Sequence, residues 1–381
     1  MITVPSALTE QLRERIKREG PITFHEWMKE GLYDPINGYY CRADRNKWGR
    51  EGDYRTSPER SSLFGATMAR YIAKLYLEES GKAQSLTIME SGAGDGSFAA
   101  ALLEALQLYF PDVFSVTRYV IDELSPHSQS LAQKRLTPFA DRVSFKNSSD
   151  IKIDFGVIFS NEVLDAFPVH RVRMERGQLL EYYVGVADDG EFEWTIAAPS
   201  TRELAEYFEK CGVELGEGQI AEVNLEIEEW FRNMTASLLS GYMITVDYGA
   251  ESRELYPSSA ADPHYLGTLR SFQRHQIIDD VLSSPGEQDL TTTVNWSFVK
   301  DIGKRFGLQV LEFERQDRFL LGAGLLELLE LESKRQESES EKLRLSNAAL
   351  EMVFPTRMGA HFQVLVQQKG NRSPTVTEGL G

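Results

Sequence analysis

Residues 86–106, LTIMESGAGDGSFAAALLEAL, join an apolar run ending in an acid to a helix-like stretch through three glycines at alternate positions. Glycine lets a backbone approach a ligand closely, and the free amides of a helix N-terminus favour an anion. A strand that turns this way into a helix therefore points to a nucleotide-like ligand. The stretch also constrains the fold, because strand–turn–helix is the repeating unit of a doubly wound α/β sheet.

The pattern that follows agrees. RYVIDE, RVSFKN and FGVIFSNE read as further strands, and PHSQSLAQKRLTPF as a helix between them. Upstream, residues 7–19 and 60–79 have helical spacing, with an aromatic, glycine-rich loop between them. Downstream, HRVRMERGQLLEYYVGVADDGEFEWTIAA alternates with turn residues at Arg176-Gly177 and Asp188-Asp189-Gly190, which predicts an antiparallel meander. Residues 221–239 read as a helix, GYMITVDYG as a strand, and 250–293 as a long irregular stretch. WSFVKDIGKRFG reads as a helix, LQVLEFERQDRFLL as a strand or hairpin, 324–350 as one long charged helix, and HFQVLVQQK as a last strand.

The expected organisation is an N-terminal extension over 1–80, then a Rossmann-like domain over 81–370. That domain carries insertions near 170–215 and 250–295, and residues 371–381 read as a disordered tail.

The formal charge of −17 argues against non-specific nucleic-acid or anionic-membrane binding, which both favour basic faces. Cys41 and Cys211 form no CxxC pair, and the six histidines show no metal-binding spacing. No stretch approaches a membrane span. A soluble, cytoplasmic protein is expected, or a mitochondrial matrix form if the chain is a processed eukaryotic one.

The ligand can be narrowed. A dinucleotide fingerprint places its third glycine where this chain has Ser97. The spacing E-x-G-x-G-x-G suits S-adenosylmethionine better, since that cofactor has no pyrophosphate. Glu90 would then accept from the cofactor's ammonium group, and Gly92, Gly94 and Gly96 would let it close to the backbone. Glu123, beside Asp122, would accept from the ribose hydroxyls. Asp150 follows the third strand, where an adenine amino group is read. Asn161, Glu162 and Asp165 crowd the end of the fourth strand, and the two acids would share one face if the segment were helical.

The blocks GPITFHEWMKEGLYDPINGYY, GREGDYRTSPERSSLFG, ESGAGDG, ELSP, NEVLDAFPVHRV, VDYGAE, GTLRSFQRHQ, PGEQDLTTTVNWS, RFLLGAG and MGAHFQVLV occur in this order. Together they resemble the MidA-like methyltransferase family. The resemblance implies a class I, Rossmann-like methyltransferase fold, S-adenosylmethionine as cofactor and methylation of a protein arginine. Its mitochondrial members modify a core subunit of respiratory complex I. It carries the cofactor loop onto Glu90, Gly92, Gly94 and Gly96, the ribose acid onto Glu123, and the acceptor motif onto Asn161, Glu162 and Asp165. Ala93, Asp95 and Gln363 depart from the family's usual residues, and none removes an expected cofactor contact.

Arginine is a delocalised cation, so carboxylates are the expected grip. Glu162 and Asp165 are the first catalytic candidates, with Asp247, Asp289 and His275 next. Asp53 and Thr56 in GDYRTSPE are expected near the cofactor, and Tyr33, Tyr39, Tyr40 and Tyr54 either pack over a guanidinium or pin their loop to the core. Two other readings compete: an NAD-linked oxidoreductase, and a non-enzymatic assembly chaperone with a vestigial cofactor pocket.

Overall fold

Apolar runs bounded by turns build the centre of the molecule. The computed structural model describes residues 6–42, 62–79, 85–273, 276–354 and 361–370. The central sheet contains β2 (Leu86–Ser91), β3 (Thr117–Asp122), β4 (Val143–Phe145), β5 (Ile153–Asn161), β10 (Leu238–Ala250), β15 (Leu308–Arg315) and β16 (Phe362–Lys369). Its order is β15-β16-β10-β5-β2-β3-β4. The five strands from β4 to β10 run parallel, and β16 is antiparallel to both β10 and β15. Both faces of the sheet are covered, which is why β2 is buried almost throughout and reads as a continuous apolar run. Ile88 points to one face, with α3 (Ser62–Glu78) and α4 (Ser97–Tyr109), and its neighbour Met89 to the other.

The segment expected as one N-terminal extension divides in two. Helix α3 packs on α4 and shares the central core. Helix α1 (Ala7–Glu19), β1 (Ile22–Thr23) and α2 (Phe24–Tyr33) form a separate core with part of the inserted sheet. Helix α2 was not read from the sequence, although its start carries a capping box: Thr23 accepts from the Glu26 amide, and Glu26 accepts from Thr23.

The inserted sheet runs β1-β7-β6-β9, through β7 (Gln178–Val186) and β6 (His170–Glu175) to β9 (Ile220–Val223), with β8 (Phe192–Ala197) on the far side of β7. The hairpin between β6 (His170–Glu175) and β7 turns on Arg176 and Gly177, both with positive φ, as the sequence suggested. Helix α6 (Glu203–Cys211) then follows, unread in the sequence.

Other expectations are corrected. The helix expected over 221–239 begins as a strand, β9 (Ile220–Val223), because those residues pair with β6; helix α7 spans Glu226–Ser237. The irregular 250–293 stretch contains a small sheet of β11 (Arg270–Gln273), β12 (Gln276–Ile277) and β13 (Asp289–Thr291). It leads into β14 (Val294–Asn295), paired with β10, and α8 (Trp296–Arg305). LQVLEFERQDRFLL begins as the expected strand rather than a hairpin, and β15 passes directly into a helix that was not expected, α9 (Gln316–Gly322). The single long helix is two, α10 (Leu325–Arg335) and α11 (Glu339–Val353), because Ser338 caps the second by accepting from the Glu341 amide.

Candidate active site

Between β2 and α4 the backbone passes through Gly92, Gly94 and Gly96 with φ of 73°, 55° and 78°. The left-handed region explains the strict alternation. Gly92 donates to the Asp122 carbonyl at 2.8 Å, and Gly94 to Glu123 Oε2 at 2.9 Å, so the turn is tied to the end of β3. A Cβ at Gly92 would come within 2.7 Å of Val163 Cγ2. Gly96 differs from the expectation of a cofactor contact. It faces away from the cavity onto α5 (Pro126–Arg135), and a Cβ there would meet Ala132 at 3.0 Å.

The turn opens onto a cavity of about 990 Å³ at the carboxyl ends of the parallel strands. This is where open α/β sheets bind ligands. Glu90, Asp122, Glu123, Glu162, Asp165, Glu226 and Asp289 line it, against Lys29 and Arg270. That balance favours a cationic ligand. No group of three or more metal-ligating side chains occurs among the described residues.

Glu90 is buried at the end of β2 and accepts from the Tyr119 hydroxyl at 2.7 Å. Burial, reinforced by the charges of Glu123 and Asp95, pushes its pKa up to about 8. At neutral pH its protonated form is therefore favoured. Glu123 lies across the turn, and its Oε1 accepts from the Ser125 amide at 2.8 Å. Asp122 is held by the Ser148 amide, and burial raises its pKa. Asp150 does not reach the cavity. The short turn over Ser148–Asp150 leaves it exposed and puts Ser148 in the wall instead.

Beyond β5, residues 162–168 form turns rather than a helix, so Glu162 and Asp165 do not meet along a helix face. Glu162 takes a left-handed φ of 53° and accepts from Asn161 Nδ2 at 3.0 Å. Asn161 Oδ1 is buried with no hydrogen-bond partner among the described residues, and so is Asp165 Oδ1. Burial lifts the Asp165 pKa to about 6, against the pull of the Tyr248 hydroxyl and the Arg270 charge.

Asp247, expected as a catalytic candidate, builds this turn instead of lining the cavity. It is fully buried, and its Oδ2 accepts from the amides of Val163, Leu164 and Asp165 at 3.0–3.4 Å. Asp289 does line the cavity and accepts from the Tyr40 hydroxyl at 2.6 Å. Tyr33 stacks on Tyr40 and donates to the Ala166 carbonyl. Both rings also face the cavity, while Tyr39 is wholly buried and pins the loop. His275, Asp53, Thr56 and Tyr54 lie outside the described residues.

Sequence reasoning missed several cavity residues, Lys29, Glu226, Arg270 and Trp230 among them. Arg270 lies over the Tyr248 ring at 5.0 Å and donates to Thr293 Oγ1. Its only sequence signal was its place in GTLRSFQ. Trp230 donates to Ser91 Oγ at 3.2 Å beside the glycine turn and meets Phe167 edge to face. A lone tryptophan in the acid-rich start of α7 was its signal.

A parallel sheet with one antiparallel strand near its edge, and an acid-lined cavity over a glycine turn at its strand ends, defines a Rossmann-like methyltransferase. Residues 67–314 match the family described as "Putative S-adenosyl-L-methionine-dependent methyltransferase", and the chain belongs to that family. It is an S-adenosylmethionine-dependent methyltransferase, which sets aside the NAD-linked reading. A Burkholderia thailandensis protein crystallised with S-adenosylhomocysteine is 31% identical, with a TM-score of 0.83 over 97% of this chain and 95% of that one. A native crystal structure from the same organism gives 30% identity and a TM-score of 0.81, with the same coverage. Among curated relatives, the Xenopus tropicalis mitochondrial protein arginine methyltransferase NDUFAF7 is 27% identical over 79% of this chain and 71% of its own length. The Homo sapiens protein of that name is 24% identical over 93% of this chain and 82% of its own.

Proposed function

We propose that this enzyme transfers a methyl group to an arginine of a protein substrate, with Asp165 and Glu162 holding the acceptor. The observation that carries this reading is the buried Asp165 carboxylate, its Oδ1 unpartnered among the described residues, in the wall of a cavity rich in acids. Relatives named protein arginine methyltransferase support the same choice.

The residues present fit the cofactor. Gly92 leaves no room for a side chain, Glu90 carries a proton that an ammonium group would displace, and Asn161 Oδ1 lacks a partner among the described residues. Glu90 is assigned to the amino group, Gly92 and Gly94 to close backbone approach, Glu123 to the ribose and Asn161 to the methionine end. When bound, S-adenosylmethionine supplies an electrophilic methyl group whose departure leaves a neutral thioether.

The chain's own task is to align the acceptor nitrogen. A carboxylate pair grips the guanidinium fork and concentrates its charge away from the reacting nitrogen. Transfer releases a proton, and Asp165, with a pKa of about 6, is the acceptor in the wall. The Arg270 charge favours the ionised form of that carboxyl, and the Tyr33–Tyr40 pair offers faces for a cation.

A core subunit of respiratory complex I is the first acceptor to examine, and the cytoplasm is the expected site of action if the chain is bacterial. Methylarginine mapping by mass spectrometry in a deletion strain tests the acceptor. A single arginine that loses its methyl groups, restored by the wild-type gene and not by Asp165→Asn, supports the reading. Labelled methyl found on another residue type in vitro rules it out.

A further inference from the structure

One cluster of titratable side chains reaches the cavity from the inserted sheet. His25, in the first turn of α2, stacks on His170, at the start of β6, with centroids 4.5 Å apart and planes 8° from parallel. The His25 Nε2–H donates to Glu226 Oε1 at 2.8 Å, and the His170 Nδ1–H donates to Glu181 Oε1 at 2.7 Å. An ionised carboxylate only accepts, so these contacts place the protons on those nitrogens. Glu181 is fully buried, and its other oxygen accepts from the Ser200 amide at 2.5 Å. The far end of the stack is therefore fixed in the inserted sheet.

Glu226 opens α7 and lines the cavity, with 32% of its side chain exposed. Trp230, four residues on and on the same helix face, reaches Ser91 beside the glycine turn. Glu226 thus stands about 6 Å farther along the helix, on the side of α2 and Lys29. The hydrogen bond from His25 holds its carboxyl below the usual range, so it is anionic at neutral pH.

We propose that Glu226 reads a second positive charge on the acceptor protein, a lysine or arginine flanking the target arginine, and that the His25–His170–Glu181 stack is the buttress that positions it. The position of the target itself rests on the arginine reading above. The inserted sheet then has a purpose: it carries the rigid end of a specificity device.

The test uses the full chain and arginine-centred peptides in which one lysine is scanned over three positions on either side, each with a glycine counterpart. Binding is measured by fluorescence with S-adenosylhomocysteine present, and methyl transfer is assayed on the same peptides. Glu226→Gln is expected to weaken binding of the preferred lysine peptide and raise its KM about tenfold. It should leave the glycine peptide, kcat and cofactor Kd unchanged. His25→Ala, a change in a positioning residue, should reproduce that split, and His25→Gln, which keeps a donor, should restore most of it. Equal losses on both peptides, or a changed cofactor Kd, overturn the proposal, as does a wild-type chain with no lysine preference at any position. A chain whose lysine preference depends on Glu226 but which methylates no arginine sustains the proposal and removes the arginine reading.

Discussion

Glu90 shows how one residue couples fold, protonation and cofactor. It lies next to the last residue of a buried strand with its carboxyl almost wholly shielded from solvent, and its pKa of about 8 follows from that burial. If it takes the cofactor's ammonium group, binding at pH 7 must expel nearly one proton. Calorimetry in two buffers of different ionisation enthalpy should show that release in the wild type and none in Glu90→Gln, whose cofactor affinity should fall about tenfold or more. Asp165 makes the opposite prediction. Asp165→Asn should lower methyl transfer by about 10²–10⁴-fold while cofactor affinity, measured the same way, stays within a small factor. A matching loss of cofactor affinity would place Asp165 on the wrong side of the cavity.

The turns around the cavity explain why residues that look catalytic are not all alike. Asp247 spends its carboxylate on three consecutive amides of the turn after β5. Removing it leaves the buried Leu164 and Asp165 amides unpaired, at a cost of about 1–3 kcal/mol for each donor left unsatisfied. Asp247→Ala should therefore lower the urea midpoint and reduce activity together, a pairing that Asp165→Asn should not show. Gly96 and Gly177 offer a second contrast. Both have positive φ, but a Cβ at Gly96 presses on α5, whereas at Gly177 it meets nothing within 4 Å. Gly96→Ala should cost about 1–3 kcal/mol, and Gly177→Asn, in a hairpin turn that tolerates asparagine, should cost well under 1 kcal/mol. Chemical denaturation distinguishes the two.

At the scale of the whole molecule, buried carboxyls set the pH dependence. Glu90 and Asp165 have folded pKa values raised to about 8 and about 6, above their ordinary 4.5 and 3.8. A raised pKa means the folded state binds more protons in that window. Stability from these groups is thus present below the ordinary values and is lost as pH rises through the folded ones. For Glu90 the loss by pH 7 is on the order of 3 kcal/mol. Apo-protein should melt at falling temperatures as pH climbs from about 5 to 8, and Glu90→Gln should flatten that slope. Carboxylates held low, such as Glu181 by His170 and Glu226 by His25, work at the other end, their contribution disappearing only in acid. Saturating cofactor at about 100 times its Kd should add about 2.7 kcal/mol, visible as a rise in Tm. A Tm that rises with pH over 5–8 in apo-protein would contradict this assignment.

The amino-acid sequence determined the parts that depend on neighbours along the chain. Apolar runs marked β2, β3 and β5, alternating glycines marked a left-handed turn, and Arg176-Gly177 marked a hairpin. The absent third dinucleotide glycine at Ser97 separated the cofactor classes, because that requirement is local too. Tertiary structure decided what lies across the cavity. Tyr40 and Asp289 meet over a separation of 249 residues, and His25 and Glu226 over 201. No periodicity announces such pairs. Strand β9 looked helical until β6 supplied a partner, and Asp247 looked catalytic until its carboxylate was found on the turn amides. Local spacing specifies which backbone conformations are open to a segment. Burial and pairing with distant segments select among them and choose which acids face solvent, protein or ligand.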